Sequence, residues 1–356
     1  MAMSTLIIPC AGKSTRFPNM KPKWLLTHPD GKLMIEKAIS GMDLNSFERI
    51  IVTIVKQHAD EYEADIMLKQ VFKDRKFEVF VLNGFTKSPA ETVKRTILEN
   101  NVDGSFVVKD SDNCVWYGTK KGINNYVVGL NLNTFGDDVL RLKAKSFITL
   151  NDQNHVVDII EKQIKSNLIC VGVYGFGSVH QYLDALEYIE RNSVIQKEIF
   201  LSHIMAYIIG AEKTYFHYIE ADNYEDWGTL DDWKNVQKRY ATYFIDVDGV
   251  ILSNRGKYGK LNWSNSNELI VSNVEAIKIL SQNGAQIIIT TSRTKEYRAE
   301  LEKLLEKCGI EYHEIIMGCN HAPRVIINDF APTNPYPSCR AISLPRNSSL
   351  AHYLND

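Results

Sequence analysis

Short runs rich in β-branched and aromatic residues alternate with helical patterns along nearly the whole chain. This alternation predicts an α/β architecture with largely parallel sheets, because parallel strands need crossover connections, which are usually helical. At 356 residues the chain is too long for one compact core, so we expect two domains. The runs that read as strands are Thr5–Pro9, Arg49–Val55, Phe77–Leu82, Ser105–Val108, Asn125–Leu130, Asn167–Tyr174, Ala241–Asp246, Ala285–Thr290 and Arg324–Asn328.

The domain boundary is predicted between residues 239 and 240. Thr229-Leu230-Asp231-Asp232 has the pattern of a capping box that opens a helix running to about Tyr240. A new strand then begins at Tyr243 and ends in an acidic motif. The sequence therefore predicts one domain over residues 1–239 and another over 240–356.

Composition narrows the classes of partner. The net charge of -2, with no stripe of Lys and Arg, gives no basic field for nucleic acid. No apolar stretch is long enough to span a bilayer, and the N-terminus reads as a first strand and not as a signal peptide. Six scattered cysteines are typical of reduced thiols. We expect a cytoplasmic protein with neither nucleic acid nor a membrane as partner.

A candidate phosphate-binding loop follows the first predicted strand. Small residues there would let backbone N–H groups approach phosphate oxygens, and the basic residues would neutralise them. Each part alone has a simpler interpretation, a glycine turn or a solvated Lys-Pro-Lys turn, but their order and spacing favour triphosphate binding. The segment is Cys10-Ala11-Gly12-Lys13-Ser14-Thr15-Arg16-Phe17, followed by Lys21-Pro22-Lys23.

These segments resemble the AG-x-G-x-R and P-K signature of the nucleotidyltransferases that make nucleotide-diphosphate sugars and polyols, with a GT-A-like fold. The short loop is similar to the cytidylyltransferase branch, and Ser14 stands where the second glycine usually is. Four further segments follow in the family's order and extend the resemblance over residues 4–238. They are Lys87-Ser88-Pro89-Ala90-Glu91-Thr92, Lys109-Asp110-Ser111-Asp112-Asn113, Glu161-Lys162 with the segment to Tyr174, and Asp226-Trp227-Gly228-Thr229.

The resemblance implies a Rossmann-like mixed sheet and a role for each matching residue. Asp110 and Asp226 would hold Mg²⁺, Arg16 and Lys23 would clamp the triphosphate, and Lys162 would hold the acceptor phosphate. Asp112 stays open between a carboxylate that supports the metal and a turn-stabilising residue. The implied substrates are a nucleoside triphosphate, with CTP favoured, and a sugar- or polyol-phosphate. The implied nucleotide-binding residues are Ala11, Gly12, Lys13, Ser14, Thr15, Ser88 and Glu91.

A second acidic motif follows the strand at Ala241–Asp246. Asp246 and Asp248 are spaced for a phosphoryl-accepting aspartate beside a general acid/base, with Mg²⁺ screening their repulsion. A calcium loop is excluded because no later Glu stands at loop spacing. Together with Thr291 and Asp329, each at the end of a predicted strand, the motif resembles motifs one, two and four of the haloacid dehalogenase superfamily over residues 241–356.

That resemblance implies an α/β phosphatase domain without a large cap. Asp246 would be the nucleophile and Asp248 the acid/base, Thr291 would bind the phosphate, and Asp246, Asp248 and Asp329 would surround Mg²⁺. The family's third-motif lysine is missing, and Arg324 or His321 could supply its charge.

The sequence therefore predicts a bifunctional enzyme of surface-polysaccharide precursor synthesis. Two alternatives stay open. In the first, the transferase is active and a degenerate phosphatase-like domain serves as a binding or oligomerisation module. In the second, the whole chain is a nucleotide-sensing regulator. A homo-oligomer is compatible with all three.

Overall fold

The computed structural model describes residues 4–73, 76–118, 122–134, 142–192, 198–256, 260–263, 268–329 and 338–354. The chain divides into two compact units, unit 1 over Met1–Trp233 and unit 2 over Lys234–Asp356. Within these described ranges, no helix combines the length and apolar character needed to cross a bilayer.

Strands and helices alternate at the start of unit 1 and in unit 2, as predicted, but the described residues between 106 and 176 form six successive strands with no α-helix between them. The strands are β1 (Ser4–Pro9), β2 (Phe47–Val55), β3 (Phe77–Leu82), β4 (Phe106–Lys109), β5 (Asn113–Trp116), β6 (Tyr126–Asn131), β7 (Ser146–Leu150), β8 (His155–Glu161), β9 (Leu168–Phe176), β10 (Phe216–Glu220), β11 (Asn223–Asp226), β12 (Thr242–Asp246), β13 (Gln286–Thr290) and β14 (Glu314–Ile316). The helices are α1 (Met34–Ile39), α2 (Lys56–Tyr62), α3 (Ala64–Val71), α4 (Pro89–Glu99), α5 (Val179–Asn192), α6 (Leu201–Glu212), α7 (Leu230–Arg239), α8 (Lys260–Trp263), α9 (Val271–Gln282), α10 (Arg298–Cys308) and α11 (Ala351–Leu354).

Unit 1 is built on a nine-stranded mixed sheet in the order β3-β2-β1-β4-β9-β6-β10-β8-β7. The strands from β3 to β4 run parallel to one another, whereas β9 is antiparallel to both β4 and β6. The prediction of largely parallel sheets therefore holds for these four strands and for the β6–β10 pair, whereas the remaining pairs of this sheet are antiparallel. The mixed sheet that the family resemblance implied is confirmed.

Two hydrophobic cores cover the two faces of this sheet, and β1 contributes to both. Leu6 and Ile8 pack into one core with residues of α1 and α3, while Ile7 packs into the other with residues of α4, α5 and α6. All three side chains are fully buried. A strand buried on both faces reads as a continuous apolar run, which is why the sequence identifies it so clearly.

The chain reverses its direction across the sheet at β1. It passes from β1 through β2 to β3 on one side, and β4 then lies on the other side of β1. In an open α/β sheet, the carboxyl ends of strands beside such a switch form a ligand-binding crevice. The loops that follow β1 and β4 begin at this edge, so the fold puts the two candidate motifs side by side.

Unit 2 contains a parallel three-stranded sheet in the order β12-β13-β14. Its core joins Ile245 and Val247 with apolar side chains of α9, α10 and β13. β12 and β13 match the predicted strands, and their carboxyl ends lie at the same edge because Asp246 pairs with Thr290.

The strand predicted at Arg324–Asn328 is absent. Residues 322–329 have no regular secondary structure, and Val325 and Ile327 are 79% and 93% exposed. The Arg324 guanidinium donates to the backbone carbonyls of Asn320 and Ala322, which holds the entry to the segment in a local turn. An apolar run becomes a strand only where a neighbouring strand or core covers it, and the described residues supply neither here.

Candidate active sites

The loop after β1 adopts a conformation usually reserved for glycine. Ser14 has a φ of +49°, in the left-handed region. Its hydroxyl accepts a hydrogen bond from the backbone N–H of Lys23 at 3.3 Å, and its carbonyl accepts one from Phe17. Ser14 therefore replaces the expected glycine in backbone shape and also fixes the start of the Lys23 turn.

A second loop packs against this one, as the predicted nucleotide site requires. The backbone N–H of Thr86 donates to the carbonyl of Ala11 at 3.3 Å, and the Lys13 ammonium lies 6.0 Å from the centre of the Phe85 ring. A Cβ at Gly12 would meet no atom within 4 Å, so the space above this backbone is open. Gly12, Lys13 and Thr15 are exposed beside it.

The side chains of Ser88 and Glu91 cap the N-terminus of α4. The Ser88 hydroxyl accepts from the Glu91 N–H at 3.2 Å, and the Glu91 carboxylate accepts from the Lys87 N–H at 2.7 Å. These are helix-capping contacts, with Pro89 in the first turn. The contact of these two side chains with a nucleotide stays a prediction.

Asp110 lies immediately after β4, close to β9. Its backbone N–H donates to the carbonyl of Gly172 at 2.9 Å. Gly172 has a φ of +80°, and a Cβ at this position would come within 2.7 Å of the Asp110 carboxylate. Only glycine fits here. Burial and the neighbouring Asp112 carboxylate raise the pKa of Asp110.

Asp226 reaches the same place through a two-stranded ladder. β5 and β11 pair in antiparallel fashion, with Asp226 opposite Asn113. The next residue, Trp227, donates its backbone N–H to the carbonyl of Asp112 at 2.9 Å. The ladder therefore brings a carboxylate from late in unit 1 beside the acidic motif that follows β4.

Asp112 is the carboxylate around which two cations of this site gather. The sequence had left its role undecided. Its carboxylate contacts the ammonium of Lys23, and the Arg16 guanidinium lies 3.7 Å away. Although burial opposes it, these two cations hold the pKa of Asp112 well below its usual range. The structure thus joins the predicted triphosphate clamp to the acidic motif.

Two of the carboxylates face a common point at Gly228. A Cβ built there would lie 3.2 Å from Asp226 Oδ1, 3.5 Å from Asp112 Oδ2 and 3.6 Å from a nitrogen of Arg16. Carboxylate oxygens are the ligands that Mg²⁺ prefers, so the donor chemistry fits the predicted metal. Among the described residues, no group of three or more His, Cys, Asp and Glu side chains is arranged to hold a metal ion. The carboxylates are paired with cationic side chains instead.

Lys145 is a member of this site that sequence reasoning missed. Its ammonium contacts the Asp226 carboxylate and donates to the Tyr224 hydroxyl at 2.7 Å. Burial would lower the pKa of Lys145, but these two groups outweigh it and raise the pKa. No motif marks Lys145, because only the fold brings the start of β7 to the end of β11.

A second lysine missed by the sequence lies beneath the acidic loop. Lys109 is fully buried, and burial lowers its pKa to about 8. Its ammonium donates to the backbone carbonyls of Asp110 and Asn113 at 2.6 and 2.9 Å, and to the Asn113 side chain at 2.7 Å. Lys109 therefore ties together both ends of the loop that carries Asp110 and Asp112.

Glu161 and Lys162 end β8 and have different surroundings. The Glu161 carboxylate accepts hydrogen bonds from the hydroxyls of Ser146 and Ser202. Lys162 has a φ of +57°, and its ammonium lies 3.9 Å from the centre of the Phe200 ring. The Lys162 side chain is 49% exposed. The Lys162 ammonium also lies 3.7 Å from the Glu161 carboxylate. Hydroxyl groups thus hold the glutamate, and the lysine pairs with it while about half of its side chain stays exposed.

In unit 2, the motif after β12 is tied to the motif after β13 by a buried ion pair. The Arg293 guanidinium, which is fully buried, donates to both oxygens of Asp248, at 3.0 and 2.7 Å. Two parallel N–H···O bonds fix a carboxylate in direction as well as position. Arg293 carries no assignment from the sequence, although it follows directly on the predicted Thr-Thr-Ser segment.

Of the other residues predicted for the site in unit 2, some lie near Asp246 and Asp248 and one does not. Arg324 lies 3.9 Å from the Asp246 carboxylate and donates to the Ser292 hydroxyl at 3.3 Å, so it supplies a positive charge at the position left open by the missing lysine. The Thr291 hydroxyl is buried and accepts from the Arg293 N–H at 3.1 Å. Asp329 is exposed, and its carbonyl accepts from Ser338. Since the strand before it is absent, the expectation that this strand brings Asp329 to the sheet edge is wrong.

No protein family model and no curated protein sequence matches the chain. Solved structures do. A nucleoside-diphosphate-sugar pyrophosphorylase from Vibrio cholerae RC9 superposes with a TM-score of 0.54 at 20% identity, covering 65% of this chain and 98% of that one. An inositol-1-phosphate CTP transferase from T. maritima gives 0.50 at 14% identity, covering 67% and 97%. At these identities the likeness shows a shared α/β fold with a mixed sheet.

Proposed function

We propose that unit 1 transfers a nucleotidyl group from a nucleoside triphosphate to a sugar- or polyol-phosphate and releases pyrophosphate. One observation carries the proposal. Asp112 contacts Lys23 and lies 3.7 Å from Arg16 at the carboxyl edge of β1 and β4, with Asp110 in the same loop and Asp226 brought beside it by the β5–β11 ladder. The open backbone of the loop after β1 borders this cluster, which suits a polyanionic substrate.

In the proposed reaction, an oxygen of the acceptor phosphate attacks the α-phosphorus of the triphosphate. A new O–P bond forms, the bond from the α-phosphorus to the bridging oxygen breaks, and pyrophosphate leaves with that oxygen. Lys23 and Arg16 would hold the triphosphate, and Lys162 the acceptor phosphate. Catalysis of this kind is chiefly positioning and charge stabilisation, so a cluster of fixed charges is what it requires.

Asp110 and Asp226, with Asp112 beside them, would hold Mg²⁺, which when bound would neutralise charge on the transferring phosphoryl group. Lys109 would fix the conformation of the loop that carries Asp110 and Asp112 through its hydrogen bonds to both ends of that loop. The shared point at Gly228 supports Asp226 and Asp112 as neighbouring ligands. Asp110 is assigned from the resemblance of its motif to that of the nucleotidyltransferases.

CTP is our preferred triphosphate because the short loop after β1 is similar to the cytidylyltransferase branch. The fold shared with a structure named as a CTP transferase is in keeping with that choice. The product would be an activated sugar or polyol, a precursor of surface polysaccharide.

The test is pyrophosphate release by the purified full chain. Each of CTP, UTP, ATP, GTP and dTTP is combined with a panel of sugar and polyol phosphates, with and without Mg²⁺. We expect Mg²⁺-dependent release with at least one pair, highest with CTP, and its loss in Asp110→Asn. No release with any pair would reject nucleotidyl transfer.

A specific observation favours a second activity, phosphate ester hydrolysis by unit 2. Asp246 and Asp248 follow β12, and the Arg324 guanidinium lies beside Asp246 where a phosphate would need a cation. We propose that Asp246 attacks the phosphorus while the bond to the alcohol oxygen breaks, and that the alcohol leaves with a proton carried by Asp248, whose pair with Arg293 has to open for this role. Water then attacks the phosphorus of the aspartyl-phosphate, returns a proton to Asp248, and releases inorganic phosphate and free Asp246. Mg²⁺ held by Asp246 and Asp248 would offset the charge of the phosphate.

Phosphate release from p-nitrophenyl phosphate tests this second activity. We expect Asp246→Asn to abolish it and Arg324→Met to reduce it, while Asp329→Asn, an exposed site, serves as the control. If wild type and Asp246→Asn release phosphate equally, unit 2 is instead a binding or oligomerisation module.

A further inference from the structure

The end of the β7–β8 hairpin carries two lysines side by side. Ser146 pairs with Glu161 in the antiparallel ladder, and Lys145 and Lys162 are the next residues outward. The backbone N–H of Lys162 donates to the carbonyl of Lys145 at 3.0 Å. The hairpin thus fixes Lys145 beside the lysine that the proposed function assigns to the acceptor.

The two side chains differ in what they contact. The Lys145 side chain is 14% exposed, and its ammonium lies between the Asp226 carboxylate and the Tyr224 hydroxyl. The Lys162 side chain is 49% exposed and lies over the Phe200 ring. Lys145 therefore borders the carboxylates on one side and the accessible lysine on the other.

Charge balance indicates what Lys145 does when the site fills. The cluster without substrate holds three carboxylates, Asp110, Asp112 and Asp226, and four cations, which are Arg16, Lys23, Lys145 and the buried Lys109. A divalent cation bound by the carboxylates would leave the side-chain cations in excess, and anionic substrate groups would then have to balance them. Arg16 and Lys23 lie on the side of the loop after β1, whereas Lys145 lies on the hairpin side.

We propose that Lys145 is a substrate-binding residue. When the acceptor binds, the Lys145 ammonium moves from the Asp226 carboxylate to the phosphate of the acceptor, which it binds together with Lys162. The inference rests on the proposed function and sharpens it. The acceptor is a phosphomonoester whose phosphate lies between two lysines, one of which also contacts a carboxylate of the metal site. This arrangement connects acceptor binding directly to the state of Asp226.

Inorganic phosphate is the probe, and its binding is measured by titration calorimetry on the full chain with Mg²⁺ present. The variants are Lys145→Met, Lys162→Met and Lys145→Arg, with Lys23→Met to identify binding on the triphosphate side. Lys69→Met is the matched control, because Lys69 is 66% exposed and pairs with Asp65 in α3. Thermal unfolding of each variant shows whether it is folded.

We expect Lys145→Met and Lys162→Met each to weaken phosphate binding by about tenfold or more, equal to about 1.4 kcal/mol. We expect Lys145→Arg to restore most of it and Lys69→Met to change nothing. Unchanged binding in Lys145→Met, a loss confined to Lys23→Met, or no phosphate binding by wild type would each overturn the proposal.

A purely structural lysine gives a different pattern, which kinetics separates. If Lys145 only neutralised Asp226, Lys145→Met would change the Mg²⁺ dependence of pyrophosphate release without raising the KM of the acceptor. We expect the acceptor KM to rise and the triphosphate KM to stay within about twofold. Phosphate binding through Lys145 in a protein that releases no pyrophosphate would reject nucleotidyl transfer and, with it, the acceptor, and would leave only a phosphate site at Lys145 and Lys162.

Discussion

The Lys23 ammonium contacts the Asp112 carboxylate across 89 residues of chain. The contact arises because β1 and β4 are neighbouring parallel strands whose carboxyl ends meet at one sheet edge. Lys23 lies in the turn after the β1 loop and Asp112 in the loop after β4. The basic clamp and the acidic motif are therefore one site. The cations that would bind a triphosphate form ion pairs with a carboxylate of this site.

Replacing Lys23 tests the clamp. We expect Lys23→Met to lower kcat/KM for the triphosphate by about 10²–10³-fold, because a fixed cation at the transferring phosphoryl group is lost. Lys21→Met is the matched control, two residues away and exposed. Steady-state pyrophosphate release measures both. Equal effects of the two substitutions would mean that Lys23 acts only through the general charge of the loop.

The left-handed conformation of Ser14 makes a prediction about side-chain shape. We expect Ser14→Gly to keep nucleotide binding, because glycine adopts a φ of +49° without strain. Ser14→Val should destabilise the chain by about 1–2 kcal/mol, since a β-branched side chain is strained there. Denaturant unfolding and calorimetric CTP binding measure the two effects.

Thr15→Val controls for the loss of a hydroxyl in the same loop, because Thr15 is exposed and its φ is not positive. A Ser14→Val variant as stable as Thr15→Val would contradict the strain argument.

Much of unit 1 could be predicted because its signals are local. β1 and β4 are short apolar runs that end in chemically distinctive loops, and Ser88 and Pro89 mark the start of α4. Motifs that follow parallel strands at a switch point converge without further information. The family resemblance assigns Lys23 and Asp110 to one site, and the switch at β1 explains why the fold brings their loops together.

Other features depend on pairings between distant segments, which one sequence does not reveal. Lys145 joins the site only because β7 pairs with β8 and β11 pairs with β5. The error at Arg324–Asn328 has the same origin. Its apolar residues have high β-propensity, but propensity cannot show whether a partner strand is available.

His58 predicts a pH dependence of stability. It is buried against the rings of Trp24 and Phe85, with centroids 5.9 and 5.4 Å away, and burial lowers its pKa to about 4. A lowered pKa means that the folded state disfavours the proton. The contribution of neutral His58 to the free energy of unfolding is therefore complete above about pH 6.5 and is lost as pH falls towards 4.

We expect that loss to approach about 3 kcal/mol, and His58→Phe to remove it. The measurement is the free energy of unfolding at several values between pH 7 and pH 4, with His180→Phe as an exposed control. If wild type and His58→Phe lose stability in parallel, the buried histidine is not the cause.

The Arg293–Asp248 pair predicts how strongly unit 2 depends on one buried charge. Arg293→Met would leave the Asp248 carboxylate, with 14% of its side chain exposed, without its partner, at a cost of about 3 kcal/mol. Arg255→Met removes an exposed pair with Glu268 and should cost less than about 1 kcal/mol. Hydrogen exchange of β12 and β13 measures both.

The double variant Arg293→Met/Asp248→Asn removes the unpaired charge as well, so we expect slower exchange in it than in Arg293→Met. Equal exchange in the two variants would show that packing by Arg293, and not its charge, stabilises this edge.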